Sequence, residues 1–190
     1  MSNALLQSPP RHTIDDLLKV KEKAELIGGR IVTFMATGHL PSVVACRILR
    51  KLADHAGQLG RGVVYPDGMS FAVPELPSGR ESFSLDVSYY TGPLPAKLMR
   101  FAEAAPDFAV EVRSENEYGP AAELEMAAKR EDYFQAGTLV VWDVDPMAKT
   151  IKSYRVAAQD QPQTFNLGDV ATAEPAVPGW GVVVNWIMDA

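Results

Sequence analysis

The stretch Asp107-Phe108-Ala109-Val110-Glu111-Val112-Arg113-Ser114 alternates two kinds of residue one position at a time. Successive side chains of a strand point to opposite faces, so Phe108, Val110 and Val112 share one side and Ala109, Glu111 and Arg113 the other. Glu111 is out of place in this apolar context. A carboxylate is disfavoured in mid-strand and costly to bury without a partner. The pattern predicts a sheet strand, Phe108–Arg113, carrying an acid that something else must accommodate.

Working outward, Phe83–Tyr89 repeats the alternation, with Phe83, Leu85 and Val87 on one side and Ser84, Asp86 and Ser88 on the other, more polar one. Downstream, Ser114 with Glu117 resembles a capping box, while Gly119-Pro120 offers a later helix start; the helix runs to Ala136 and stops at Gly137. Leu139–Asp143 and Ile151–Val156 read as strands joined by a turn at Asp145-Pro146. A polar loop over 157–163, a short strand near Thr164–Leu167 and a closing strand Gly181–Trp186 follow. Upstream, Thr13 with Asp16 caps a helix extending to Leu26, and Gly28-Gly29 ends it before a strand, Arg30–Met35. A second helix starts at Pro41-Ser42, shows Val44, Ile48 and Leu52 on one face, and stops at Gly57 or Gly60. Strands Val63–Tyr65 and Met69–Val73 flank Pro66-Asp67-Gly68, and a short helix is expected within Pro95–Ala105. This order favours an α/β (α+β) fold, a mixed β-sheet flanked by helices. Residues 1–12, with Pro9-Pro10, are expected to be a flexible tail, and 13–190 one domain.

The bulk composition agrees. The 190 residues are 47% hydrophobic and 22% charged, as in ordinary globular proteins. The net charge of −6 and pI near 5.1 argue against a protein that coats nucleic acid, which is usually basic, but not against a catalytic domain with clustered carboxylates. One cysteine, Cys46, excludes an intrachain disulfide, and its apolar surroundings suggest a small buried hydrophobe. The chain has no apolar run able to span a bilayer and no signal-peptide core, so a cytoplasmic protein without membrane contact is expected.

Two features carry chemistry. Asp86 and Glu111 on neighbouring strands would repel unless a cation stood between them, and Mg²⁺ favours such oxygen ligands. Ordinary salt bridges from two half-exposed sheet carboxylates explain the pattern equally well. Asp107 competes poorly as the partner of Glu111, because four strand residues span about 13 Å. In the helix, Ala122, Met126, Lys129, Tyr133 and Ala136 form an apolar stripe interrupted by one lysine. Lys129 either pairs with Glu125 one turn away or serves a site with the two carboxylates. The three tryptophans, Trp142, Trp180 and Trp186, read as core or sheet-edge aromatics.

Several segments together resemble the Uma-type restriction endonucleases of the PD-(D/E)xK nuclease superfamily. Pro106-Asp107-Phe108-Ala109-Val110-Glu111-Val112-Arg113-Ser114 resembles the family's PD-hydrophobic-EV-x-S core. Lys129 with Tyr133 and Gly137, running into Trp142-Asp143-Val144-Asp145-Pro146, resembles its K-x-x-x-Y-x-x-x-G segment and the W-x-V-D-P that follows. Glu25-Leu26-Ile27-Gly28-Gly29-Arg30-Ile31-Val32 and Pro178-Gly179-Trp180 resemble its opening and closing motifs.

The resemblance implies a restriction-endonuclease-like core and a Mg²⁺-dependent DNA endonuclease, with Mn²⁺ as a substitute ion. It maps the metal ligands to Asp86 and Glu111, with the Val112 carbonyl, and the catalytic lysine to Lys129 on the following helix. Arg113 stands where the superfamily usually has that lysine and is a candidate phosphate contact. Glu25 matches an N-terminal helix glutamate that completes such sites. Leu85 precedes Asp86 where the family usually has proline. Enzymes of this fold often act as homodimers. The alternatives are a catalytically inactive nucleic-acid-binding or protein-interaction module on the same fold, and hydrolysis of another phosphodiester such as a cyclic nucleotide.

Overall fold

The computed structural model describes residues 10–189, so most of the expected tail lies outside the described residues. Of the remainder of that tail, the His12 N–H donates to the Gly29 carbonyl (2.8 Å) and Arg11 pairs with Glu75 and Glu81. In chain order the elements are α1 (Ile14–Leu17), β1 (Ala24–Ile27), β2 (Arg30–Thr33), α2 (His39–Leu59), β3 (Val63–Pro66), β4 (Ser70–Ala72), β5 (Ser82–Ser84) and β6 (Val87–Tyr90). They continue with β7 (Phe108–Val112), α3 (Pro120–Ala136), β8 (Val140–Asp145), β9 (Thr150–Arg155), β10 (Ala158–Phe165), β11 (Val170–Thr172), β12 (Gly181–Val183) and α4 (Val184–Met188).

Six strands form the main sheet in the order β10-β9-β8-β7-β6-β3. Only β7 and β8 run parallel, as the α3 crossover between them requires; the other pairs are antiparallel. Pro120 at the start of α3 and Gly137 at its end, with φ 108°, set the limits of that crossover.

The sheet is covered on both faces. Val44, Ile48 and Leu52 of α2 pack on Phe108, Val110, Val112 and Trp142, with Trp180 stacked on Trp142 at 5.2 Å. On the other face Tyr133 and Phe134 of α3, with Phe71 and Phe83 from the β4–β5 pair, cover Ala109, Val141 and Tyr154. The face expected to be polar is therefore a second core, with Asp143 buried and Glu111 half-buried on it. Trp186 is only partly buried, and Lys51 lies over its ring at 4.6 Å.

Several expectations are corrected. The Thr13–Asp16 capping box forms, but its helix is one turn long, and Glu25 lies on a strand. Gly28 and Gly29, at φ 57° and 69°, form the two-residue turn of the β1–β2 hairpin, a conformation that suits glycine, and strand pairing overrides the helical spacing upstream. The strand expected over Phe83–Tyr89 is split at Leu85-Asp86, where its halves join different sheets. No helix forms within Pro95–Ala105. The polar loop over 157–163 is instead most of β10, an edge strand whose side chains face solvent. The closing strand ends at Val183 and turns into α4. Cys46 is exposed, because it lies on the outer side of α2 from Val44 and Ile48.

The two sides of α2 give a direct check. Ile48→Ala is expected to lower unfolding free energy by about 2–5 kcal/mol through lost burial and a residual cavity, while Cys46→Ala stays within about 0.5 kcal/mol of the parent. Urea denaturation of both variants measures the difference.

Candidate active site

The β6–β7 register ends at the Val87–Val110 pair, and Asp86 lies just beyond it, in the bend between β5 and β6, near enough for its charge to act on Glu111. The two carboxylates are therefore neighbours at the end of the β6–β7 pairing. Asp86 also completes the ladder where β5 and β6 part: its N–H donates to the Val110 carbonyl (3.3 Å) and its Oδ2 accepts from the Val112 N–H (2.7 Å). Leu85, at the position where proline was expected, is buried in the second core.

Lys129 reaches into this patch from α3. Its Nζ lies 2.9 Å from Glu111 Oε1 and 3.1 Å from Glu25 Oε1, and donates to the Ser84 carbonyl at 3.4 Å. Among the described residues no ion pair joins Lys129 to Glu125. Burial opposes the ammonium charge, but Glu111 and Glu25 outweigh it and raise the Lys129 pKa. Lys129 is thus held protonated. One turn further, Tyr133 donates its hydroxyl to Glu111 Oε1 and stacks its ring on Phe83 at 4.3 Å. Burial and the Asp86 charge raise the Glu111 pKa, against the pull of Lys129, Lys23 and the Tyr133 hydroxyl.

Glu25 is fully buried, and both its oxygens are engaged. Oε1 accepts from the Ser84 N–H (2.9 Å) and faces Lys129; Oε2 pairs with Arg80, whose Nε donates to Asp132 Oδ2 (2.8 Å). Burial works against its charge, yet Lys129, Arg80 and the Ser84 N–H bring the pKa below the ordinary 4.5. A carboxylate committed on both sides suits the positioning of Lys129 better than the binding of an ion.

Arg113, the candidate phosphate contact, is turned inward. Its Nε and Nη2 each donate to Asp143 at 2.7 Å, and it also pairs with Glu123; its side chain is 5% exposed. The parallel register sets Asp143 beside Glu111, so the Arg113 fork neutralises a carboxylate that would otherwise burden the site.

A cleft of about 370 Å³ opens over this region, with Glu111, Lys129 and Tyr133 in its wall and Val32, Phe34 and Met126 as apolar lining. Asp86 is not among the lining residues. Its Oδ1 is held by Lys23 at 2.8 Å, and Lys23 also pairs with Asp67 at 3.0 Å. Lys23, Arg80, Asp132 and Tyr133 were not singled out from sequence as site residues. Tyr133 carried the strongest signal, four residues from Lys129 on one helix face; Lys23 and Arg80 lie just before a strand and in a loop, where no periodicity points.

The donor set fits a hard divalent cation. Two neighbouring carboxylates, Asp86 and Glu111, are oxygen ligands of the kind Mg²⁺ takes while keeping several waters. A cation, the Lys23 ammonium, already stands on one of them. Among the described residues no three Asp, Glu, His or Cys side chains converge as metal donors, in keeping with the commitment of Glu25 elsewhere.

Comparison with known proteins finds this architecture in a solved structure and in one family model. A crystal structure described as "a putative nuclease belonging to DUF820" from Anabaena variabilis is similar at TM-score 0.73 and 16% identity, over 93% of this chain and 97% of that one. The Uma2 family model, described as "Putative restriction endonuclease", matches residues 13–185, and the chain belongs to that family. No curated protein matched. Among the described residues no helix is long and apolar enough to cross a membrane.

Two stability predictions follow from the buried ions. Arg80→Ala leaves Glu25 and Asp132 without their cation and is expected to cost about 3–5 kcal/mol in urea unfolding. Glu25 has a lower pKa folded than unfolded, so its contribution is complete above about pH 4.5 and is lost as pH falls through the folded value. Stability of the parent should fall on acidification below 4.5, and that of Glu25→Gln, lower at neutral pH, should fall less over the same interval.

Proposed function

We propose that the chain is a Mg²⁺-dependent DNA endonuclease that hydrolyses phosphodiester bonds at the Asp86–Glu111–Lys129 site, with Mn²⁺ as a working substitute. The observation that carries this reading is the Lys129 ammonium, held 2.9 Å from Glu111 in the wall of an open cleft, with the Asp86 carboxylate nearby in the bend before β6.

Asp86 and Glu111, with the Val112 carbonyl, would hold the ion; bound there, it would polarise a phosphate and lower the pKa of its water. The remaining steps belong to the protein's own groups. Lys129 stays protonated, so it serves as a donor and not as a base: it orients the attacking water or steadies negative charge developing on the phosphate. Glu25 and the Ser84 carbonyl fix the direction of the ammonium. The Tyr133 hydroxyl fixes the Glu111 carboxylate, leaving its second oxygen to the cleft. Val32, Phe34 and Met126 reduce the water around Lys129, which strengthens its interaction with an anion. Membership of the Uma2 family supports a nuclease, and DNA is the substrate its description as a restriction endonuclease suggests.

The test is cleavage of supercoiled and single-stranded DNA with Mg²⁺ or Mn²⁺. The parent should cut, and Glu111→Gln and Lys129→Gln should each lower the rate about 10²–10³-fold, with folding checked by circular dichroism. Absence of cutting by the parent, or cutting indifferent to both substitutions, would instead favour a non-catalytic binding module.

A further inference from the structure

We infer that Lys23 is a built-in competitor for the metal: its ammonium takes the cation position on Asp86, and a divalent ion binds by displacing it toward Asp67. The inference rests on the proposed metal site. It concerns a residue with no counterpart in the motifs above.

The side chain is only 20% exposed and lies between two carboxylates, 2.8 Å from Asp86 Oδ1 and 3.0 Å from Asp67 Oδ1. Its backbone is fixed, because the Lys23 carbonyl accepts from the Phe34 N–H (2.9 Å), continuing the β1–β2 ladder. The ammonium therefore moves by side-chain rotation, with little demand on the chain.

Local repulsion and the hold on each ammonium decide which lysine gives way. Glu25, Glu111, Asp86 and Asp67 face Lys129, Lys23 and Arg80, with Asp132 also on Arg80. A divalent ion on Asp86 and Glu111 adds two positive charges beside two ammonium groups, and like charges at this range repel strongly. Lys129 cannot easily leave, since it is held at three points, on Glu111, Glu25 and the Ser84 carbonyl. Lys23 can: its second partner, Asp67, is 43% exposed at the Pro66-Asp67-Gly68 turn and is held there by the Gly68 N–H at 2.8 Å.

The test is Mn²⁺ binding to the full chain, by calorimetry and by loss of the free-ion paramagnetic resonance signal. Lys23→Gln is expected to bind Mn²⁺ about tenfold more tightly than the parent, because one nearby like charge is removed. Asp67→Asn, which takes away the ammonium's alternative partner, is expected to bind more weakly, a change of opposite sign that general destabilisation of Lys23→Gln would not mimic. Lys19→Gln, an exposed lysine paired with Asp16, controls for net charge and should match the parent. Equal or weaker binding by Lys23→Gln, with parent binding still abolished by Asp86→Asn, overturns the inference and leaves the metal site standing. Absence of any Asp86-dependent binding in the parent removes the metal site and this inference together.

Discussion

An ammonium group enclosed between a helix and a sheet needs carboxylates around it, and this requirement on Lys129 ties the site together. Glu111 comes from the central strand β7, Glu25 from the β1–β2 hairpin, Ser84 from the end of β5 and Lys129 itself from α3. Each segment is held by its own packing: the Gly28-Gly29 turn, the Phe83–Tyr133 stack and the Gly137 stop of α3. The ionic contacts give these packed pieces one relative placement. Burying charge is unfavourable unless partners are complete. The arrangement meets that condition in two linked groups, one around Lys129 and Arg80 and one around Arg113 and Asp143.

The second group explains how a chain of net charge −6 keeps a usable site. Asp143 lies beside Glu111 in the parallel register, and a third free carboxylate there would shift Glu111 further toward its neutral form. The fork of Arg113 removes that charge from the balance. An arginine at this position, two residues after Glu111, thus settles the neighbouring strand while the Lys129 ammonium arrives from α3.

The sequence made the sheet legible wherever pattern and burial coincide. Alternation marked β7, the Pro120–Gly137 limits marked α3, and the apolar stripe with one lysine in it singled out Lys129. Glu111 stands on β7 as the alternation suggests, whereas Asp86 falls in the bend before β6 and on no strand. Legibility failed where long-range contacts override local spacing. Leu17, Val20 and Ala24 follow a helical period, but the Gly28-Gly29 hairpin converts the later part to strand. Residues 157–163 are too polar to suggest a strand, and only pairing with β9 makes them one. Arg80 and Lys23 belong to the site through tertiary placement alone, and the inward turn of Arg113 depends on Asp143, thirty residues on.

The central claim is that Asp86 and Glu111 form one cation site under the control of Lys129. Anomalous diffraction from crystals soaked in Mn²⁺ tests it most directly. The account predicts a single anomalous peak bonded to both carboxylates, with Lys129 still on Glu25 and Lys23 moved off Asp86. A peak elsewhere, or none while Lys23 stays on Asp86, would contradict it.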